Sequence, residues 1–142
     1  MTPQQIHLVR SSYALVAPIA PTAARIFYDR LFAIDPSLRS LFRGDMTQQG
    51  QKLMEMIGVA VGLLDKPQHL LPALRHLGRR HAGYGVDDGH YATVGRALLE
   101  TLEIGLGDGF DAATRQAWSA MYALVSTTMC EAAAEAGAAA VQ

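Results

Sequence analysis

Three polar side chains interrupt otherwise apolar helix faces, and any chemistry in this chain starts from them. Before Gly83, Leu70, Leu74, Leu77 and His81 recur at the three-and-four spacing of a helix and share one face. An imidazole aimed where leucines point must be satisfied. It is either a core histidine bonded to a carbonyl or a metal ligand presented by a rigid helix, and this face alone leaves both readings open. From Thr47 onward, Gln49, Leu53, Ile57, Ala60 and Leu64 share a second face. Gln49 is either a surface residue of the first turn or an amide donor aimed into a pocket. Tyr28 stands in a third apolar run with Ile26 and Phe32, and a buried hydroxyl there needs a partner, most simply a backbone carbonyl. One explanation covers all three exceptions. A flat apolar prosthetic group wants an axial imidazole on one side and hydrogen-bond donors on the other, and haem is the candidate.

The elements that must position these residues are all helical. Strand-like alternation and hairpin signals are lacking, and Pro, Gly and capping residues cut the chain into about seven helices. They cover about residues 3–16, 22–34, 37–41, 47–64 and 68–82, then run from Asp87 or Asp88 to about 106, with a last helix after Asp111. Thr2, Pro3 and Gln5 form a capping box with a first-turn proline. The Ala-rich tail, residues 132–142, favours helix but has little to pack, so its end should fray.

Composition bounds the rest. The chain has 142 residues, half of them hydrophobic, with 18% charged and a net charge of −1. That size suits one domain, residues 1–142, with a substantial core. Near-neutral charge argues against nucleic acid as a partner. The single cysteine, Cys130, precludes an internal disulfide framework. No run of eighteen apolar residues is present to span a membrane, and no basic start leads into an apolar stretch, so the cytoplasm is the expected location. The Gly-rich stretch at 105–109 follows a helix rather than a strand and fails as a phosphate loop. His76 and His81 face different ways and form no zinc motif.

The order and spacing of several strings carry a resemblance to a known family. These are Ile26-Phe27-Tyr28-Asp29-Arg30-Leu31-Phe32, Asp35-Pro36 with Leu41-Phe42, Gln49 with Lys52-Leu53, Leu77-Gly78-Arg79-Arg80-His81, Tyr84-Gly85-Val86, His90-Tyr91, Val94-Gly95, Ala117-Trp118 and Tyr122. In these the chain resembles the bacterial single-domain globins and the globin domain of flavohaemoglobins, and is similar to neuroglobin-like bacterial globins. The resemblance implies an all-α globin fold of seven to eight helices around one haem b. It implies His81 as the iron ligand, with the Leu77 carbonyl one turn back as acceptor for its other nitrogen. It makes Phe42 a ring packed flat on the porphyrin, Tyr28 and Gln49 the distal donors to a bound gas, and Leu53 the apolar wall beside it. Val86, Tyr91, Val94, Leu98 and Arg80 complete the haem contacts; Arg79 and Arg80 beside the ligand either pair with the propionates, present a basic patch to a reductase, or form a solvated helix edge. Such globins also carry a proximal glutamate, a position that falls on Ala133 here, while Glu131 is two residues off and points elsewhere. A weaker push on the imidazole favours ligand binding over O–O cleavage.

The function this resemblance implies is binding of O2, NO and CO at a five-coordinate iron, with nitric oxide dioxygenation as the reaction. That turnover needs a separate flavin and nicotinamide reductase, since no Gly-rich nucleotide fingerprint occurs in the sequence. The competing expectations are O2 storage, delivery or scavenging by a monomer or homodimer, and haem-based gas sensing.

Overall fold

The computed structural model describes the backbone of residues 1–141 and the side chains up to residue 136. Its first helix, α1 (Pro3–Val16), begins as a reciprocal cap. The Thr2 hydroxyl accepts from the Gln5 amide at 3.1 Å, and the Gln5 side chain accepts from the Thr2 amide at 3.0 Å. A 3-10 turn, Ala17–Ile19, carries the chain through Pro18 into α2 (Ala20–Ile34). This helix starts before Thr22 because Pro21 occupies its first turn, where a missing N–H costs nothing. Asp35 then caps a second 3-10 turn, Pro36–Leu41, in place of a short α-helix.

Next comes α3 (Met46–Gly62). Its cap is Asp45, whose carboxylate accepts from the Thr47 amide at 2.8 Å. The remaining helices are α4 (Pro67–Gly83), α5 (Asp88–Leu106) and α6 (Ala112–Val141), with a last 3-10 turn at Gly107–Gly109. Pro67 sits inside α4 at its start rather than ahead of it. Asp111 caps α6 by accepting from the Thr114 amide at 2.8 Å. Among the described residues, six α-helices and three 3-10 segments stand where about seven helices were expected, because the short helix expected at 37–41 winds as a 3-10 segment, Pro36–Leu41. α6 is helical to Val141, and the expected fraying at residue 142 lies outside the described residues. No described helix is long and apolar enough to cross a membrane.

Helix pairing is uneven, and the unevenness makes the site. α6 lies along α4 and α1, while α2 lies along α5 and α3. At the α4–α6 crossing, Gly78 is required, since a Cβ there would run into the backbone of Met129. At the α2–α3 crossing, a Cβ on Gly50 would come within 2.9 Å of Ala24 Cβ. Burial of apolar area holds these pairs together, at about 25 cal/mol per Å2. Around Trp118, which is 1% exposed, the larger core gathers Val9, Leu70, Leu74, Leu102 and Met121. The indole nitrogen donates to Ser12 Oγ at 2.8 Å, and the Ser12 hydroxyl donates in turn to the Leu8 carbonyl at 2.7 Å. A smaller core gathers Phe27, Tyr28, Leu31, Leu38 and Ala97. α3 and α4 follow one another through only a short loop, yet they barely touch.

Candidate functional site

Several apolar side chains on α3, α4 and α5 stay only half-buried. Leu53 and Ile57 come from α3, Leu77 from α4, Val94 and Leu98 from α5, with Val86 on the connection between α4 and α5. Leu53 and Val94 pack on the smaller core, Leu77 and Val86 on the larger one, and Leu98 on both. Half-exposed leucines and valines that also pack on the two cores leave apolar surface open to cover by something apolar.

His81 stands on α4 one turn beyond Leu77 and is itself half-buried. Its Nδ1 lies 2.9 Å from the Leu77 carbonyl. A carbonyl can only accept, so Nδ1 carries the proton and Nε2 keeps its lone pair. Burial lowers the tendency of the ring to protonate; the Leu77 carbonyl opposes this, and the neighbouring Arg80 guanidinium adds to the lowering. The ring is thus a neutral imidazole with a free nitrogen, the state a metal needs. The two readings of the sequence are compatible: one nitrogen is satisfied by a carbonyl and the other remains available.

On the α3 side an aromatic cluster is built by α2 and the 3-10 turn after it. Tyr28 meets Phe27 and Phe42 edge to face, with ring centroids 5.1 and 5.3 Å apart, and stacks on Phe32 at 6.0 Å. Phe32 also meets Phe42 at 5.6 Å, and the Arg39 guanidinium covers Phe32 from 4.7 Å. Phe32 is visible in the sequence through its four-residue step from Tyr28, whereas nothing there marks Arg39. The Tyr28 hydroxyl donates to the main-chain carbonyl of Gln49 at 3.3 Å. Burial pushes its pKa up to about 12, so the phenol stays a proton donor across neutral pH. The half-buried side-chain amide of Gln49 makes no hydrogen bond among the described residues.

Two further features lie beyond the imidazole, at Tyr91 and at position 133. Tyr91 is buried, and its hydroxyl has no partner among the described residues, while its main-chain carbonyl accepts from the Tyr122 hydroxyl. Burial raises the Tyr91 phenol to about 12. Ala133 is half-buried and borders an open cleft with Ala82, Val86 and Asp88, whereas Glu131 is exposed. Arg80 donates to the Tyr84 hydroxyl at 3.2 Å, and the Tyr84 ring lies 6.1 Å from that of His81. Tyr84 closes α4 one turn after Arg80 and His81, so local helix geometry brings it beside both, although its sequence context assigns it no role.

The donor set fits haem. It offers a neutral imidazole nitrogen, half-buried leucine and valine side chains, and a phenol that remains protonated. No described cluster of three His, Cys, Asp or Glu competes as a site for a bare metal ion. Comparison with known proteins points the same way. The family model described as Globin matches residues 25–129. Neuroglobin-1 of Oncorhynchus mykiss is 31% identical, the alignment covering 91% of this chain and 90% of that protein. A flavohemoprotein of Vibrio cholerae is 28% identical over 86% of this chain, which corresponds to 32% of its length. Among solved structures, an engineered carbene transferase from Rhodothermus marinus, provisionally described as a nitric oxide dioxygenase, superposes with a TM-score of 0.90 at 25% identity. That match covers 100% of this chain and 99% of the other.

Proposed function

The chain belongs to the globin family, and from that premise we propose that it holds one haem b in a slot between α3 and α4, binds O2 with NO and CO as competitors, and converts NO to nitrate. Haem, when bound, supplies an iron that takes diatomic gases and changes by one electron per turnover. The balance is NO plus O2 plus one electron giving nitrate, so each cycle draws an electron from outside the globin, here from a separate flavin and nicotinamide reductase.

The observation that carries this reading is the state of His81. Its Nδ1 proton is engaged by Leu77, which fixes the ring and leaves Nε2 to hold the iron. Phe42, Leu53, Val86, Val94 and Leu98 would cover the macrocycle and keep water from it. Tyr28 would turn its hydroxyl from the Gln49 carbonyl toward a polarised ligand, and the unengaged Gln49 amide would add a second donor. Both hold the gas and slow its escape. Tyr91 lies on the histidine side, and Arg80 sits at the rim, where it braces Tyr84.

One observation favours a second reading. Position 133 is alanine and Glu131 is exposed, so no carboxylate from this stretch engages the imidazole. Without that anionic push, reversible gas binding for storage, delivery or scavenging is the simpler activity. Stopped-flow mixing of the oxygenated chain with NO separates the two. Fast oxidation with one nitrate per haem supports dioxygenation. Slow oxidation without nitrate leaves a gas-binding globin.

A further inference from the structure

We propose that the exposed face of α4, ending at Tyr84, is the docking surface for an acidic protein that delivers single electrons to the site. This rests on the reading above that turnover draws its electron from a separate protein. α4 carries Arg75, Arg79 and Arg80 with the exposed His69 and His76, and contains no aspartate or glutamate. The whole chain is nearly neutral, with 12 basic and 13 acidic residues, so this imbalance is local. Arg75 is neutralised by Glu135 of α6. Arg79 and His76 are exposed, and neither is among the described ion pairs. Of the acids flanking α4 along the chain, Asp65 is paired with Arg10 and Asp87 caps α5 through the His90 amide at 3.2 Å, while Glu131 on the neighbouring α6 is exposed.

At the end of this cationic face stands Tyr84, 59% exposed. A large aromatic left so open is costly to keep in one place, yet Arg80 pins its hydroxyl at 3.2 Å. Its ring is the exposed aromatic closest to the imidazole, 6.1 Å from His81. Electron transfer falls steeply with distance, so a donor resting on Tyr84 is one aromatic ring away from the iron ligand. Positive charge around that contact steers an acidic partner and raises the encounter rate without demanding a tight complex. Small, weak interfaces are usual for redox partners.

The test uses the full chain loaded with haem. A reduced bacterial flavodoxin serves as the acidic donor, and a neutral hydroquinone as the uncharged control. Flavodoxin should reduce the ferric protein at a rate that drops about tenfold in a His76→Glu/Arg79→Glu variant, and drops similarly in high salt. Reduction by the hydroquinone should be unchanged. Tyr84→Ala should lower the limiting rate at saturating flavodoxin and leave the salt dependence intact. Titration with oxidised flavodoxin, followed by amide chemical shifts, should move residues 76, 79, 80 and 84. Equal flavodoxin rates in wild type and double variant, or shifts clustered away from α4, would overturn the proposal. Nitrate formation is measured separately, so a chain that docks flavodoxin on α4 yet makes no nitrate keeps this surface and loses the dioxygenase reading.

Discussion

The two walls of the proposed slot are built differently. The α4 wall is clamped along its length by α6: Leu70 and Leu74 are buried, Gly78 lets the backbones meet, and Arg75 reaches Glu135. The α3 wall is held at separate points. Gly50 rests on Ala24, the Tyr13 hydroxyl donates to the Met54 carbonyl at 3.1 Å, and Tyr28 donates to the Gln49 carbonyl. Met56 and Val59 of that helix remain exposed. In the proposed function, the histidine that would hold the iron sits on the clamped helix, where geometry is kept within narrow limits. Gln49, the proposed second donor, sits on the helix held at separate points, where a side chain can change partners.

Disturbing the clamp should have the largest effect. Gly78→Val places branched carbon against the Met129 backbone and forces α4 away from α6. A loss of about 3 kcal/mol is expected, read from the denaturant midpoint. Gly50→Ala on the other wall meets only a side-chain methyl at 2.9 Å and should cost about 1 kcal/mol. Equal losses would erase the contrast between the walls.

Changes to the donors come next. Tyr28→Phe removes a hydrogen bond worth about 1.5 kcal/mol to the ligand, so O2 should dissociate about tenfold faster in flash or stopped-flow displacement. Gln49→Leu keeps the main-chain carbonyl that holds Tyr28 and should speed release by less, about threefold. A larger effect at position 49 than at 28 would reverse the order of the two donors.

The pH effects are the smallest. With its phenol held near 12, Tyr28 should leave the O2 dissociation rate flat between about pH 7 and 10; a step near the ordinary tyrosine value would show an unburied hydroxyl. His81 has a folded-state value below its ordinary 6.5, so the unfolded chain binds more protons there. The stability this group contributes to the haem-free chain is present above 6.5 and is lost as pH falls from 6.5 through the lowered folded value. Urea midpoints that do not fall across that window would contradict the burial of the ring.

Much of this was legible in the residues. The Thr2–Gln5 cap, the Asp87 and Asp111 caps and the helix faces are local patterns, and local hydrogen bonds decide them. His81 and its Leu77 partner are one turn apart, so their bond follows from helix geometry. What periodicity could not supply were partners from other helices. Nothing near Tyr28 marks the Gln49 carbonyl as its acceptor, and nothing near Gly78 announces Met129. The 3-10 turns at Pro18 and Pro36 are ambiguous in sequence, because proline at a first turn suits either kind of helix. Resemblance narrowed the role of His81 where its helix face left two readings.

The most direct test is the absorption spectrum of the full chain with haem, compared with a His81→Gly variant before and after adding imidazole. A ferrous five-coordinate spectrum is expected in the wild type, with its loss in the variant and its return when free imidazole takes the vacated position. An unchanged spectrum in His81→Gly, with haem fully retained, would contradict the assignment of His81 as the iron ligand.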